Sequence, residues 1–153
     1  MPNPIPQGYH TVTPSLNIEG AAKAIEHYKN AFGATLEGEV MQCPETGKII
    51  HAEIKVGDSK LMIADVNPGC PMGATKSSFC VYLTDADAAY KKATDAGCTS
   101  VMEPEDMFWG DRMGTVMDPY GNAWSLATHI KDMSQDEIAN AAKEWMQQQK
   151  KAA

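Results

Sequence analysis

The chain has 153 residues, 43% of them apolar and 22% charged, and carries a formal charge of −7. That length provides a core large enough to fold without disulfides or a structural metal. The negative balance, with Lys91-Lys92 and Lys150-Lys151 as the sole adjacent basic pairs, excludes nucleic acid as a main partner, because phosphate contacts need clustered cations.

Met1-Pro2-Asn3-Pro4 is neither the charged nor the apolar region of a secretory leader, and the apolar runs are too short to span a bilayer. The expectation is a cytoplasmic protein with no membrane partner. Cys43, Cys70, Cys80 and Cys98 lack metal-binding spacing and read as free thiols of a reducing compartment. A redox role for Cys43 or Cys70, each beside a proline, is the alternative.

In chain order, alternation and β-branched residues over Tyr9–Ile18 predict a strand with Pro14 at an edge or bulge. Ala21, Ile25, Tyr28 and Phe32 recur at helical spacing and predict a helix over 20–32, stopped by Gly33. Strands are expected over 35–42, 48–56 and 60–66, turned by Pro44–Gly47 and by Gly57-Asp58. The Gly- and Pro-rich stretch 67–76 reads as a linker. The pattern then restarts with a strand over 77–83 and a helix capped by Asp85, striped by Ala86, Ala89, Tyr90 and Ala93, and ended by Gly97. Strands follow over about 99–102, 113–117 and 123–129. Ser134-Gln135-Asp136-Glu137 is a capping box that opens a last helix over about 134–148. Ile138, Ala141, Ala142 and Trp145 give that helix an apolar stripe, and the tail beyond Gln147 is expected to fray.

Gly33 matches Gly97, and Gly57-Asp58 matches Gly121-Asn122, at one common offset. With the same order of elements on both sides, this suggests a duplicated βαβββ module within one domain of residues 1–153: one copy over about 9–66, the other over about 77–129.

The local sequences sharpen that reading. Ala22-Lys23-Ala24-Ile25-Glu26-His27-Tyr28-Lys29-Asn30-Ala31-Phe32-Gly33-Ala34 resembles a signature of the glyoxalase/bleomycin-resistance/dioxygenase (vicinal oxygen chelate) superfamily. Trp109-Gly110-Asp111-Arg112 and Asp118-Pro119-Tyr120-Gly121-Asn122-Ala123-Trp124 resemble its second signature, with Asn122 where His is common. Leu126-Ala127-Thr128-His129 through Ser134-Gln135-Asp136-Glu137 is similar to the ending of the PhnB-like branch. The resemblance implies an α+β fold: two paired βαβββ modules forming a cupped mixed β-sheet, helices on its outer face, plus a C-terminal helix. It also implies a homodimer, with any exchange between chains at the linker.

Metal-dependent members of the family hold a divalent ion with His and Glu converging on the concave face. Carried onto this chain, those positions fall at or near Thr13, within Leu61–Ala64, at Phe79 and at Ser125. None is His or Glu, so the inherited metal site is expected to be missing and no cofactor is expected. His51, Glu53 and Lys55 share one strand face, while Ile50, Ala52, Ile54 and Val56 are expected to face a helix. Thr13, Ser15, Asp65 and Ser125 are expected on the same open side, giving a polar cup. Three readings stay open for that face: a solvated strand surface, a small-molecule site, or a shifted metal site built from His51 and Glu53 with His10 or Asp65.

Phe108 and Trp109 would cover a flat ligand while Arg112 holds its carboxylate or phosphate; the favoured alternative is that Asp111 and Arg112 clip the loop. Asp118–Asn122 reads as a turn. Met102, Met107, Met113 and Met117 suit an irregular core or an accommodating pocket. The cavity candidates are thus Thr13, Ser15, His51, Glu53, Asp65, Phe79, Trp109, Arg112 and Ser125. Three functions follow: a metal-free binder of a small amphipathic or aromatic molecule; a lyase or dioxygenase-like enzyme with a shifted metal; or a PhnB-like metabolic protein using acid–base groups such as Asp65 or His51.

Overall fold

Polar residues at every second position and apolar residues between them build a pair of four-stranded sheets, each roofed by one helix. In the computed structural model, which describes residues 1–69 and 71–152, the order is β1 (Ser15–Ile18), α1 (Ala21–Phe32), β2 (Thr35–Gln42), β3 (Ile49–Val56) and β4 (Ser59–Asp65). The second copy is β5 (Ser78–Tyr82), α2 (Ala86–Asp95), β6 (Thr99–Asp106), β7 (Asp111–Met117) and β8 (Ala123–His129), followed by α3 (Gln135–Ala152). The sheets run β1-β4-β3-β2 and β5-β8-β7-β6. In each, the first strand pairs in parallel with the last and the other pairs are antiparallel. The repeated strand–helix–three-strand order read from the sequence is the order of the structure.

Helix α1 buries Ala21, Ala24, Ile25, Tyr28 and Ala31, a single stripe at helical spacing, and stops where Gly33 adopts φ 67°. Asp85 caps α2 by accepting the Ala88 N–H at 3.0 Å. The helices pack against each other, so one core joins the modules, from Leu16 and Ile54 through Ala93 to Trp124 and Leu126. Among the described residues no helix packs on the opposite face of either sheet. In register across it lie Ser15, Met62 and Glu53 in the first sheet, and Cys80, Ser125 and Thr115 in the second.

Four expectations needed adjustment. Strand β1 begins at Ser15 rather than Tyr9, because Pro6–Tyr9 closes a turn (Tyr9 N–H to Pro6 O, 3.1 Å) and Pro14 has no N–H to pair. Strand β6 runs on to Asp106, carrying Pro104 on a sheet edge where the missing donor costs nothing. Ile50 points outward, 55% exposed, because a bulge pairs Met41 with His51 and Gln42 with Ile49, which turns Ile49 inward instead. Helix α3 extends past Gln147 to Ala152, carried by helix-forming Gln and Lys, with Lys150 and Lys151 at the negative end of its dipole. The capping box forms as read, Glu137 N–H to Ser134 Oγ at 3.2 Å and Ser134 N–H to Glu137 Oε2 at 2.9 Å. The linker lies along the outer edge of β1, with Thr75 exchanging hydrogen bonds with Asn17 at 2.8 and 2.9 Å. Among the described residues no helix is long and apolar enough to cross a membrane.

Candidate functional site

A crevice of about 590 Å³ lies between the modules, bounded by Pro14 and the β3–β4 turn on one side and by edge strand β5 on the other. Val56, Leu61, Phe79, Val81 and Trp124 give it apolar walls, with Asp58, Ser59 and Ser78 as polar groups. Its floor is stiff. Trp124 is 1% exposed and stacks on Phe32 at 4.3 Å and Phe79 at 4.7 Å. Its indole N–H donates to Asp118 Oδ2 at 3.0 Å, the oxygen that also accepts the Tyr28 hydroxyl at 2.7 Å. The other oxygen of Asp118 accepts the N–H groups of Tyr120 and Asn122, both at 2.9 Å. Burial, then the hydrogen bond to Asp118, pushes the Tyr28 phenol well above its ordinary pKa.

The open face of the first sheet holds a polar group. His51 Nε2 lies 3.3 Å from Glu53 Oε1, and Lys60 Nζ lies 3.9 Å from Glu53 Oε2. Tyr9 covers this group, its ring 4.6 Å from the Lys60 ammonium. The Tyr9 hydroxyl is shielded from water. It faces the Glu53 carboxylate, which pushes the phenol up to about 12 and is itself held below the usual carboxylate range. Thr13 and His10 border the same hollow.

The remaining sequence candidates are distributed rather than gathered. Asp65 accepts the N–H groups of Gly20 (3.2 Å), Ala21 (2.9 Å) and Ile49 (2.7 Å), which caps a helix whose own N-cap residue, Gly20, has no side chain to do so. Ser15 is exposed at the start of β1. Ser125 Oγ and Thr115 Oγ1 lie 3.0 Å apart on the open face of the second sheet. Arg112 is engaged by carboxylates, with two bonds to Asp87 (2.6 and 2.9 Å) and one to Asp106 (3.0 Å). Trp109 donates its indole N–H to Asp111 at 2.9 Å. Thr13 and Glu53 share one hollow, Phe79 lines another, and Trp109 and Arg112 line neither.

Asp111, 3% exposed, also accepts the Tyr82 hydroxyl at 2.8 Å and meets His129 Nδ1 at 2.8 Å. His129 Nε2 meets Asp132, again at 2.8 Å. With a carboxylate on each ring nitrogen, His129 must donate from both and is held as the imidazolium; Asp111 first and Asp132 second raise its pKa above 6.5. Burial disfavours the charged Asp111, yet His129, Tyr82 and Trp109 hold it below the ordinary value. A group whose pKa is raised by folding stabilises most where it is protonated in both states. The melting-temperature deficit of His129→Gln should therefore be full below pH 6.5 and shrink as pH rises through the folded pKa. A deficit independent of pH between 5 and 9 would refute the charged sandwich.

A thiol–imidazole pair that the sequence did not reveal joins Cys98 Sγ to His27 Nε2 at 3.3 Å. Burial raises the thiol to about 11 and lowers the imidazole, so both are neutral and the pair is a packing contact rather than an activated nucleophile. Cys43 is partly exposed, and the Thr46 hydroxyl and neighbouring amides lower its pKa. Cys80 is exposed on edge strand β5. Cys70 lies outside the described residues.

The positions at which the family holds a divalent ion do not fit one here. Phe79 turns its ring onto Trp124, Ser125 bonds Thr115, and the segment Leu61–Ala64 carries no ligand type. Among the described residues no three His, Cys, Asp or Glu side chains converge as ligands. The Glu53 carboxylate beside His51 is paired with the Lys60 ammonium. Trp124, Val81, Tyr9 and Lys60 were not named as cavity candidates from sequence; for Trp124 the signal was its place at the end of the second signature.

A model of the Glyoxalase/Bleomycin resistance protein/Dioxygenase superfamily matches residues 9–126. An uncharacterised protein of Mycobacterium bovis is 36% identical over 139 residues, 85% of this chain and 90% of its own length. An uncharacterised protein of Arabidopsis thaliana is 31% identical over 114 residues, 68% of this chain and 69% of its own. Among solved structures, TioX from Micromonospora sp. ML1 is similar with TM-score 0.62 and 24% identity, over 82% of this chain and 100% of that one. A PhnB protein from Bacillus cereus has TM-score 0.60 and 20% identity, over 78% and 99%. Both share the fold. On the family match and the identity to its relatives, the chain belongs to the glyoxalase/bleomycin resistance protein/dioxygenase superfamily.

Proposed function

We propose that this protein is a metal-free binder of a small, largely apolar aromatic molecule, seated in the crevice between the two modules. The observation that carries this reading is the crevice itself: about 590 Å³, walled by Val56, Leu61, Phe79, Val81 and Trp124, with a few hydroxyls at its margin. That volume and lining match sites for small organic ligands. The rings of Phe79 and Trp124, the latter backed by Phe32 and fixed through Asp118, offer aromatic surface that loses little freedom on binding. Residues at the family's ligand positions supply apolar and hydroxyl groups instead of chelating ones, which favours sequestration over metal chemistry. We also read the protein as a cytoplasmic homodimer, since Met41, Ile50 and Val101 leave apolar side chains more than half exposed; sedimentation equilibrium tests the dimer.

The test uses 1-anilinonaphthalene-8-sulfonate as probe, followed by its own emission and by tryptophan fluorescence. Binding should saturate at one probe per chain and persist in excess chelator. Phe79→Ala should weaken it about tenfold, the equivalent of roughly 1.4 kcal/mol of lost ring contact. Arg112→Ala should leave it unchanged, because that guanidinium already serves Asp87 and Asp106. Equal affinity in wild type and Phe79→Ala would sink the assignment.

A further inference from the structure

Helix α3 is attached to the rest of the chain by few contacts. It buries none of its 18 residues. Trp145 reaches Phe108 at 5.7 Å and still stays 47% exposed. A helix draws most of its stability from packing, so the position of α3 depends on the segment 130–134 that leads into it. Two fastenings hold that segment. The Gly110 carbonyl accepts the N–H groups of Ile130 and Lys131 at 2.9 and 3.0 Å. Asp132 is tied down through a single ring: its carboxylate meets His129 Nε2 at 2.8 Å, while His129 Nδ1 meets Asp111 at 2.8 Å.

The two carboxylates are not equivalent. Asp111 is 3% exposed and also accepts the Tyr82 hydroxyl and the Trp109 indole N–H, whereas the Asp132 side chain stands fully in water. An imidazole that bridges two carboxylates donates from both nitrogens and is charged. When it gives up a proton, one carboxylate is left facing a lone pair. Asp111 cannot turn to water, and leaving it unpaired carries the full desolvation penalty. Asp132 can turn away at little cost. The proton therefore leaves Nε2, and the Nδ1–H stays with Asp111. The other titratable groups of the cluster lie on β5 and act through Asp111. Its hydrogen bond pushes the Tyr82 phenol up to about 12, and burial followed by Asp111 pushes the Cys80 thiol up, so the imidazole gives up its proton first. Arg112, next along β7, is engaged by Asp87 and Asp106.

We propose that the proton on His129 Nε2 is a latch for α3. While it is present, Asp132 and the lead-in to the helix are held against the second module. Once it is lost, Asp132 swings into water and α3 keeps the Gly110 crossing and the Phe108 contact as its attachments. The latch does not depend on what occupies the crevice at Phe79 and Trp124.

The experiment records amide-exchange protection of residues 132–138 in the full chain, corrected for the intrinsic rate at each pH, together with the ring shifts of His129. In wild type, protection should fall up to about fivefold as pH rises through the His129 titration, the range of a solvent-exposed ion pair. Above the midpoint the ring nitrogens should report the Nδ1–H tautomer, a readout that needs no variant. Asp132→Ala should show the low protection at every pH. Asp132→Asn should hold the high protection throughout, because its amide accepts from the imidazolium through Oδ1 and, once rotated, donates through Nδ2 to the neutral Nε2. Wild-type protection that stays flat across the titration, an Nε2–H tautomer, or a loss in Asp132→Asn equal to that of wild type would each overturn the latch.

Discussion

Asp118→Ala should lower the melting temperature by roughly 10 °C, the largest effect expected of any single carboxylate in the chain. Four donors converge on this 3%-exposed side chain: the Tyr28 hydroxyl, the Trp124 indole N–H, and the amides of Tyr120 and Asn122. Removing a buried acceptor costs far more than the net worth of its bonds, because each donor is left dry and unpaired. Breaking a buried charged network typically costs about 3–5 kcal/mol, and in a domain of this size each kcal/mol moves the midpoint by roughly 2–4 °C. Tyr28 belongs to α1 and Asp118 to the β7–β8 turn, so the loss should uncouple the modules as well as loosen the turn. A double-mutant cycle with Tyr28→Phe gives the check: the two changes should be clearly less than additive. Simple additivity would mean that the hydroxyl–carboxylate bond holds nothing together.

Gly110→Ala should be nearly as damaging, by roughly 3 kcal/mol or more. A Cβ at Gly110 would sit 2.3 Å from the Lys131 carbonyl oxygen, and the residue has φ 98°, which a side chain disfavours. Neither neighbour can yield cheaply, because the Gly110 carbonyl accepts the N–H groups of both Ile130 (2.9 Å) and Lys131 (3.0 Å). The strain should fall on the crossing of loop 107–110 with the segment leading to α3. Phe108 there packs on Trp145 at 5.7 Å, so protease cleavage near residues 130–134 should accelerate with the loss of stability. A variant with unchanged melting and unchanged cleavage would contradict the close crossing.

Much of the fold was legible because it depends on local periodicity. The apolar stripe of α1, the Asp85 cap, the Ser134–Glu137 box and the strands at 35–42 and 123–129 all follow from spacing within a few residues. The places where sequence misled are those governed by a partner strand. Ile50 faces out because of a bulge that becomes visible when β2 is laid beside β3. The site was less readable still. Trp109 and Arg112 stand close in the sequence, but what they bind is set by Asp87, 25 residues distant from Arg112, and by Asp111 beside Tyr82 and His129. Tyr9 meets Lys60 and Glu53 across some fifty residues of chain, a meeting that no local pattern announces.

The two roofing helices share a dependence with a bearing on folding order. Asp65 at the end of β4 serves the first turn of α1, and the Thr128 hydroxyl near the end of β8 accepts the N–H of Ala86, the first residue of α2, at 2.9 Å. In both copies a donor group at the start of the helix finds its acceptor on a side chain more than forty residues downstream. The first turn of α1, whose own cap residue has no side chain, should settle only when β4 docks and should gain protection from exchange at the same moment, whereas α2 carries its own cap in Asp85 and should depend less on its closing strand.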